Sequence, residues 1–357
     1  MDKKREIYSD VLKIVSIFMV ILIHILSPYR EMYYPQNGKF FLLLSIIDDF
    51  TRVAVPIFFM ITGTFMLSKK TEKYSVYFKE RVLKLLIPVL IASLFYYLYS
   101  NIKGGGYISV VNFVRYFTND TIQYHLWFMY AIIMVYLLIP YLQVLVQNLD
   151  RKKLFNLIVL LAIVSNGFNT INLFTARYGH ELLKGFVLPD IFAYINYLFI
   201  GYYISKIELN KKKRIILSII FIVSMCAMFF ANRLFAINGP DDKMILATSI
   251  FPILPAVSVY LFIEDWLKNV KVPKVLSSII FKMSSCVFYL YLVHAFLLDR
   301  IRFDLFKNWT CKNAYEDLLK IIVVAITVFI SSFIVAYIIV TIKDLIKKLI
   351  IKKQEKK

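Results

Sequence analysis

Apolar residues in this chain fall into repeated blocks about 20 residues long, the length at which a helix crosses about 30 Å of hydrocarbon. The blocks lie near 8–27, 45–68, 84–101, 124–145, 154–172, 190–206, 214–235, 245–264, 276–298 and 318–342. Short polar or basic segments separate them. The pattern predicts an all-α integral membrane protein, a bundle of about ten transmembrane helices. So little chain remains between blocks that residues 1–357 are expected to form a single membrane domain. Pro56, Pro88 and Pro140 fall inside blocks, where proline kinks a helix and frees a carbonyl. The longest loop, 102–123, contains Gly104-Gly105-Gly106. No Lys-Ser/Thr follows, so it is not a phosphate loop.

Composition agrees with the pattern. Of 357 residues, 60% are hydrophobic, and the mean hydropathy is +0.68. The net charge of +20 would suit a nucleic-acid binder. Its distribution instead follows the positive-inside rule. With the N-terminus inside, the cytoplasmic segments hold Lys3, Lys4 and Arg5, then Lys69, Lys70, Lys73, Lys79, Arg81 and Lys84. They also hold Arg151, Lys152 and Lys153, Lys206 and Lys211 to Arg214, Lys268, Lys271 and Lys274, and seven lysines from Lys343 to Lys357. The opposite side and the span edges hold fewer, among them Arg30, Lys103, Arg115, Lys243 and Lys307. Both termini are therefore expected in the cytoplasm, with 343–357 a basic tail on anionic lipid, and no nucleic-acid partner is expected. With only residues 343–357 after the tenth block, no extracellular hydrolase-like domain is expected. The first block holds Asp10 and Lys13 and lacks a small-x-small site after it, so it does not read as a cleaved signal peptide. Cys226 and Cys286 fall within spans and Cys311 in a loop, which suits neither a disulfide nor a metal site.

Ionisable groups inside the blocks carry the candidate chemistry. Lys13 and His24 are eleven residues apart, which at about 100° per residue puts them within about 20° of one another and about 16 Å apart along one helix. Asp10, three residues before Lys13, flanks the stripe. Such groups cost about 2.5–3.5 kcal/mol each near the centre of a spanning helix, so their presence points to use. His24, Arg52, His125 and His294 come from four different spans and fall in the outer part of the membrane. They are candidates for a general base and its electrostatic partners. The structural alternative is that each histidine bonds a neighbouring helix and that Arg52 pairs with Asp48 or Asp49 one turn away. His180 falls in a loop and is expected to be solvated. On the cytoplasmic side Lys79, Arg81 and Lys84 open the third span, with Lys13 and Asp10 at similar depth. Arg81 and Lys84 are three apart and form a fork suited to phosphate, or else ordinary positive-inside charge. Two clusters at different depths suggest transfer across the membrane, from a phosphorylated donor below to an acceptor above.

Five stretches resemble the motifs of one family, in its order. Asp10-x-x-Lys13, followed ten residues later by His24, is similar to the opening motif of the acyltransferase-3 family of integral membrane acyltransferases, with Lys where Arg is common. Arg52-Val-Ala-Val-Pro-Ile-Phe-Phe-Met-Ile-Thr-Gly63 resembles its second-span signature, which often ends Ser-Gly. Arg81-x-x-Lys84 resembles its paired basic motif. Tyr124-His-Leu-Trp127-Phe-Met-Tyr130, continuing to Pro140, is similar to the fourth-span pattern of the surface-polysaccharide O-acyltransferase branch. Phe288-Tyr-Leu-Tyr-Leu-Val-His294 resembles the late Ile-Tyr-x-x-His pattern.

The resemblance implies transfer of an acyl group, commonly acetyl, from cytoplasmic acyl-CoA to a hydroxyl of a cell-surface polysaccharide or its lipid-linked precursor. It implies that acyl-CoA is a co-substrate with no bound cofactor and no metal, and that the site is a bacterial plasma membrane. Membrane lipids are further partners, as are other membrane proteins of glycan synthesis. His24 takes the catalytic position and Lys13 its basic neighbour, while Arg81 and Lys84, with Lys79, take the coenzyme A side. Arg52 or His125 is expected to stabilise the oxyanion. Asp10, His294 and Trp127 are further candidates. An exporter or flippase of a glycan or small acid, without chemistry, is the competing reading from another class. A third is a transferase of the same fold acting on a small molecule, amino acid or peptidoglycan.

Overall fold

The computed structural model describes residues 6–34, 38–70, 72–235, 246–268, 270–306 and 308–354. Lys3, Lys4, Arg5, Lys243, Lys307, Lys356 and Lys357, which enter the charge map, lie outside the described residues. Every regular element among the described residues is helical. The α-helices are α1 (Ile7–Tyr33), α2 (Lys39–Thr51), α3 (Ala54–Met66), α4 (Tyr74–Tyr77), α5 (Leu83–Gly104), α6 (Val110–Thr118) and α7 (Trp127–Gln147). They continue with α8 (Arg151–Leu161), α9 (Phe168–Ala176), α10 (Ile191–Ile204), α11 (Lys211–Phe235), α12 (Ile253–Lys268), α13 (Lys274–Arg300) and α14 (Ala314–Gln354). Turns of π-helix, Phe78–Val82 and Ala162–Gly167, run α4 into α5 and α8 into α9.

Among the described residues, 7 helices are long and apolar enough to cross a membrane: Ile7–Tyr33, Tyr74–Gly104, Trp127–Gln147, Arg151–Ala176, Lys211–Leu234, Lys274–Arg300 and Ala314–Ile350. The other three expected blocks carry shorter helices. Block 190–206 holds the 14 residues of α10, and the 16-residue α12 begins only after a run of turns that occupies the start of block 245–264. Block 45–68 is broken into α2 and α3, of 13 residues each. The break falls at Arg52–Val53 because Pro56 has no N–H for the Arg52 carbonyl four residues earlier, and its ring crowds that carbonyl.

The described chain groups into two compact units. The first comprises Met1–Phe58, Thr170–Leu182 and Ile207–Lys357. Here α1 packs against α2, α12, α13 and α14, α13 lies along α14, and α11 packs against α12 and α2. Leu12, Ile17, Ile21 and Ile25 of α1 are fully buried, and so is the polar Ser16. A buried polar side chain on the covered face of α1, such as Asp10, is costly unless it finds a partner inside the unit.

The second unit comprises Phe59–Asn169 and Leu183–Lys206. It is knit by a close crossing of α3 with α10. A Cβ on Gly63 would land on the backbone of Leu198, and one on Gly201 on the backbone of Met60. The two helices therefore touch backbone to backbone, the mode of packing that small residues permit in lipid. Thr64 Oγ1 donates to the Gly201 carbonyl at 2.9 Å, and Gln143 Nε2 of α7 donates to the Met66 carbonyl at 2.8 Å. Gly63→Ala is expected to cost about 1–3 kcal/mol through this overpacking, seen as a lower thermal unfolding midpoint in detergent. An unchanged midpoint would show that the crossing can give way.

Candidate active site

Helix α1 carries Asp10, Lys13, His24 and Arg30 on one continuous element. Near its start Asp10 is buried, and its Oδ1 accepts from Ser284 Oγ of α13 at 2.6 Å. Lys13 Nζ lies 3.8 Å from the same oxygen and is part exposed. The i,i+3 spacing thus yields the expected pair, in which only the carboxylate is enclosed.

Further along α1, the ring of His24 stacks on that of His294 from α13, with centroids 5.5 Å apart and planes at 26°. His294 is fully buried, and its Nδ1 lies 2.6 Å from the Tyr291 carbonyl. A carbonyl can only accept, so Nδ1 carries a proton and donates it to this bond. Arg52 and Arg302 are the cations whose fields reach His24. Pro28 stands four residues after His24 and, like Pro56 after Arg52, withholds the N–H that would otherwise bond to that carbonyl. Both candidate residues therefore sit where a helix is perturbed by proline.

Arg52 belongs to a buried ionic cluster. Arg30 Nη1 donates to Asp48 Oδ2 at 2.5 Å, and Arg52 donates to the same oxygen from Nη2 at 3.1 Å and from Nε at 3.3 Å. Arg30 is 2% exposed and Asp48 0%. Next to it, Asp49 Oδ1 accepts from Asn232 Nδ2 of α11 at 2.8 Å. Asp48 is thus the expected partner of Arg52, and it holds a second guanidinium as well.

Arg30 and Asn232 are the members that sequence reasoning missed. The first apolar block ends at 27, ahead of Pro28, and the charge map puts Arg30 with the opposite side and the span edges. The helix in fact continues through Pro28 to Tyr33. An apolar Ile25-Leu26 pair followed by an arginine four residues on is a signal, weak but present, that burial continues past the proline.

The remaining candidates belong to the second unit. His125 precedes α7, is fully buried, and has Tyr96 edge-on at 5.2 Å and Tyr124 at 5.6 Å. Trp127 opens α7 and packs near Phe128 and Tyr194, at 6.1 Å and 6.3 Å. Arg81 lies in the π-helical turn, 3.9 Å from Glu72, while Lys84 pairs with Glu80. Lys79 and Lys84 are exposed and Arg81 is part exposed. Each cation of the expected fork therefore has its own surface carboxylate, a weak pair that a phosphate can displace. His180 is exposed, as expected.

In chemical terms the first unit offers an imidazole pair within the field of an arginine whose orientation is fixed by a buried carboxylate. That is a means of taking a proton from a hydroxyl and of stabilising the negative charge that then develops. A family model described as an acyltransferase domain matches residues 6–341, running through both units. No curated protein and no solved structure matches the chain.

Proposed function

Because this chain belongs to the acyltransferase-3 family, and is a multi-pass membrane acyltransferase, we propose that it moves an acyl group from acyl-CoA to a hydroxyl of a surface polysaccharide or its lipid-linked precursor. Acetyl is the group assigned. The observation that carries the reading is the stacked His24–His294 pair, in the same unit as the Asp48-bound Arg52. His24 takes the proton of the attacking hydroxyl, whose oxygen bonds to the thioester carbonyl carbon. Arg52 faces the oxyanion of the tetrahedral intermediate. The C–S bond then breaks and coenzyme A leaves as a thiol with the proton returned.

Basic residues at the start of α5 serve the donor. Coenzyme A carries several phosphate charges, and Lys79, Arg81 and Lys84 supply matching cations. The excess of Lys and Arg on one side supports a cytoplasmic donor end and cytoplasmic termini, in what this reading takes to be a bacterial plasma membrane. Replacing Arg81 and Lys84 together by Glu is expected to raise KM for acetyl-CoA at least tenfold, about 1.4 kcal/mol, with a smaller change in kcat. Steady-state kinetics in detergent, with release of the coenzyme A thiol as readout, measures it. Equal effects on KM and kcat would remove these residues from donor binding.

The experiment for the reading as a whole is mass spectrometry of surface glycans from cells with and without the protein. An acyl mass that disappears with the protein and returns with its gene is the expected result. Unchanged glycans, with acyl-CoA left unconsumed by purified protein and any glycan acceptor, would overturn it.

A further inference from the structure

Helix α6 lies in the long connection between α5 and α7 and has no buried residue. Its ends are well made. Gly105, at φ +67°, stops α5 in the left-handed conformation that glycine adopts without strain. Ser109 Oγ then caps α6 by accepting from Asn112 N. Beyond Thr118, Asp120 at φ 51° lets Thr121 N–H close onto the Tyr116 carbonyl at 3.0 Å. Burial raises the Asp120 carboxyl above its usual range. A segment this well terminated is a helix by construction, although sequence reading took it for loop.

At about 100° per residue the side chains of α6 fall into three faces. Phe113, Tyr116 and Phe117 form an aromatic face at about 240–340°, counted from Val110. It meets the protein: Phe113 and Tyr116 contact the ring of Tyr97 at 5.5 Å and 6.0 Å, and Phe117 that of Tyr130 at 5.3 Å. Tyr97 OH also bonds the Ser109 backbone, at 3.0 Å. Asn112 and Arg115 form a polar face at about 140–200°. Val110, Val114 and Val111 form a face at about 0–100°, with exposures of 80%, 52% and 75%; Thr118 shares it at about 80°, its hydroxyl turned back onto the Val114 and Arg115 carbonyls.

In the chain the aliphatic face follows an apolar surface of known kind. Ile87, Ile91, Leu94 and Ile102 make an exposed stripe at helical spacing along α5, within the candidate span Tyr74–Gly104. Beyond Gly105, Tyr107 and Ile108, both exposed, come next before Val110. A spanning helix turns such a stripe to lipid. Three faces about 120° apart suit a helix at the edge of a bundle, one face on protein, one on water and one on acyl chains.

We propose that α6 is an interfacial helix whose Val110–Val111–Val114 face is seated in the bilayer at the end of α5. Lipid is the occupant, and no contact with substrate or partner protein is required. Through Tyr97 the helix adjoins Tyr96, whose ring packs on His125. The bilayer surface thereby supports the aromatic packing around a candidate site residue.

Single spin labels on α6 test this in vesicles of phosphatidylethanolamine and phosphatidylglycerol. The parent carries Cys226→Ser and Cys311→Ser, the two cysteines that are not buried, and keeps buried Cys286. Labels are attached at Val111→Cys, Val114→Cys, Asn112→Cys and Arg115→Cys. Collision with oxygen, which concentrates in lipid, is compared with collision with a water-soluble nickel chelate. Oxygen is expected to dominate at 111 and 114 and the chelate at 112 and 115. Chelate dominance at 111 and 114 would overturn the proposal by putting that face in water. Protection from both reagents would overturn it by putting protein there, a partner or a second copy. The readout needs no catalysis and stands whether or not the acyl-transfer assignment holds.

Discussion

Replacing His24 by alanine is expected to lower kcat for acyl transfer by about 10²–10⁴-fold, the usual worth of a positioned general base. KM for acetyl-CoA is expected to change little, because the donor cations are in the second unit and His24 in the first. The substitution removes a ring stacked on His294, worth about 0.5–1.5 kcal/mol beyond its area, so the protein should still fold. His24→Gln keeps some bulk and polarity but cannot accept and return a proton at neutral pH, and it should be as inactive as the alanine variant. His294→Gln should fall between these variants and the parent, since His294 holds the ring against which His24 stacks. Thiol release with a glycan acceptor gives the rates, and thermal unfolding with and without acetyl-CoA shows that the variants remain folded. A His24→Ala enzyme within tenfold of the parent would remove His24 from the chemistry, and with it the mechanism proposed above.

Much of this site is legible as sequence because it rests on local periodicity. Eleven residues of helix align Lys13 with His24, three align Asp10 with Lys13, and four align Asp48 with Arg52. The stacking of His24 on His294 joins α1 to α13; span positions put the two histidines at similar depth, and only the packing brings their rings together. Arg30 lies beyond the first apolar block, yet α1 runs on through Pro28 to Tyr33, packed against α2, α12, α13 and α14. Pro56 marks a kink in the second block, and the structure shows the kink as a full break into α2 and α3 at Arg52. The shared oxygen of Asp48 had no sequence signature, because it depends on α1 and α2 lying side by side.

That shared oxygen makes Asp48 the residue whose loss should destabilise the first unit most. Asp48→Ala leaves two guanidinium groups facing each other in a buried site with their common counter-charge gone, at a cost of about 3–5 kcal/mol. Arg30→Ala should cost less, because Asp48 keeps Arg52 at 3.1 Å. Arg52→Ala should cost least, since its side chain is 12% exposed and its removal still leaves the close Arg30–Asp48 pair. The order of unfolding midpoints in detergent is therefore parent, Arg52→Ala, Arg30→Ala and Asp48→Ala, from most to least stable. The pair Arg30→Met with Asp48→Leu removes the close buried ion pair as a unit and should recover part of the stability lost in Asp48→Ala, because the guanidinium that remains, Arg52, is better solvated than Arg30. Activity should not return with it. The carboxylate that aims Arg52 is absent from that variant, so a stable and inactive protein separates the positioning of Arg52 from the folding of the bundle. If Asp48→Ala were instead no less stable than Arg52→Ala, the cluster would not be organised around its carboxylate, and Arg52 would owe its orientation to the helix break alone.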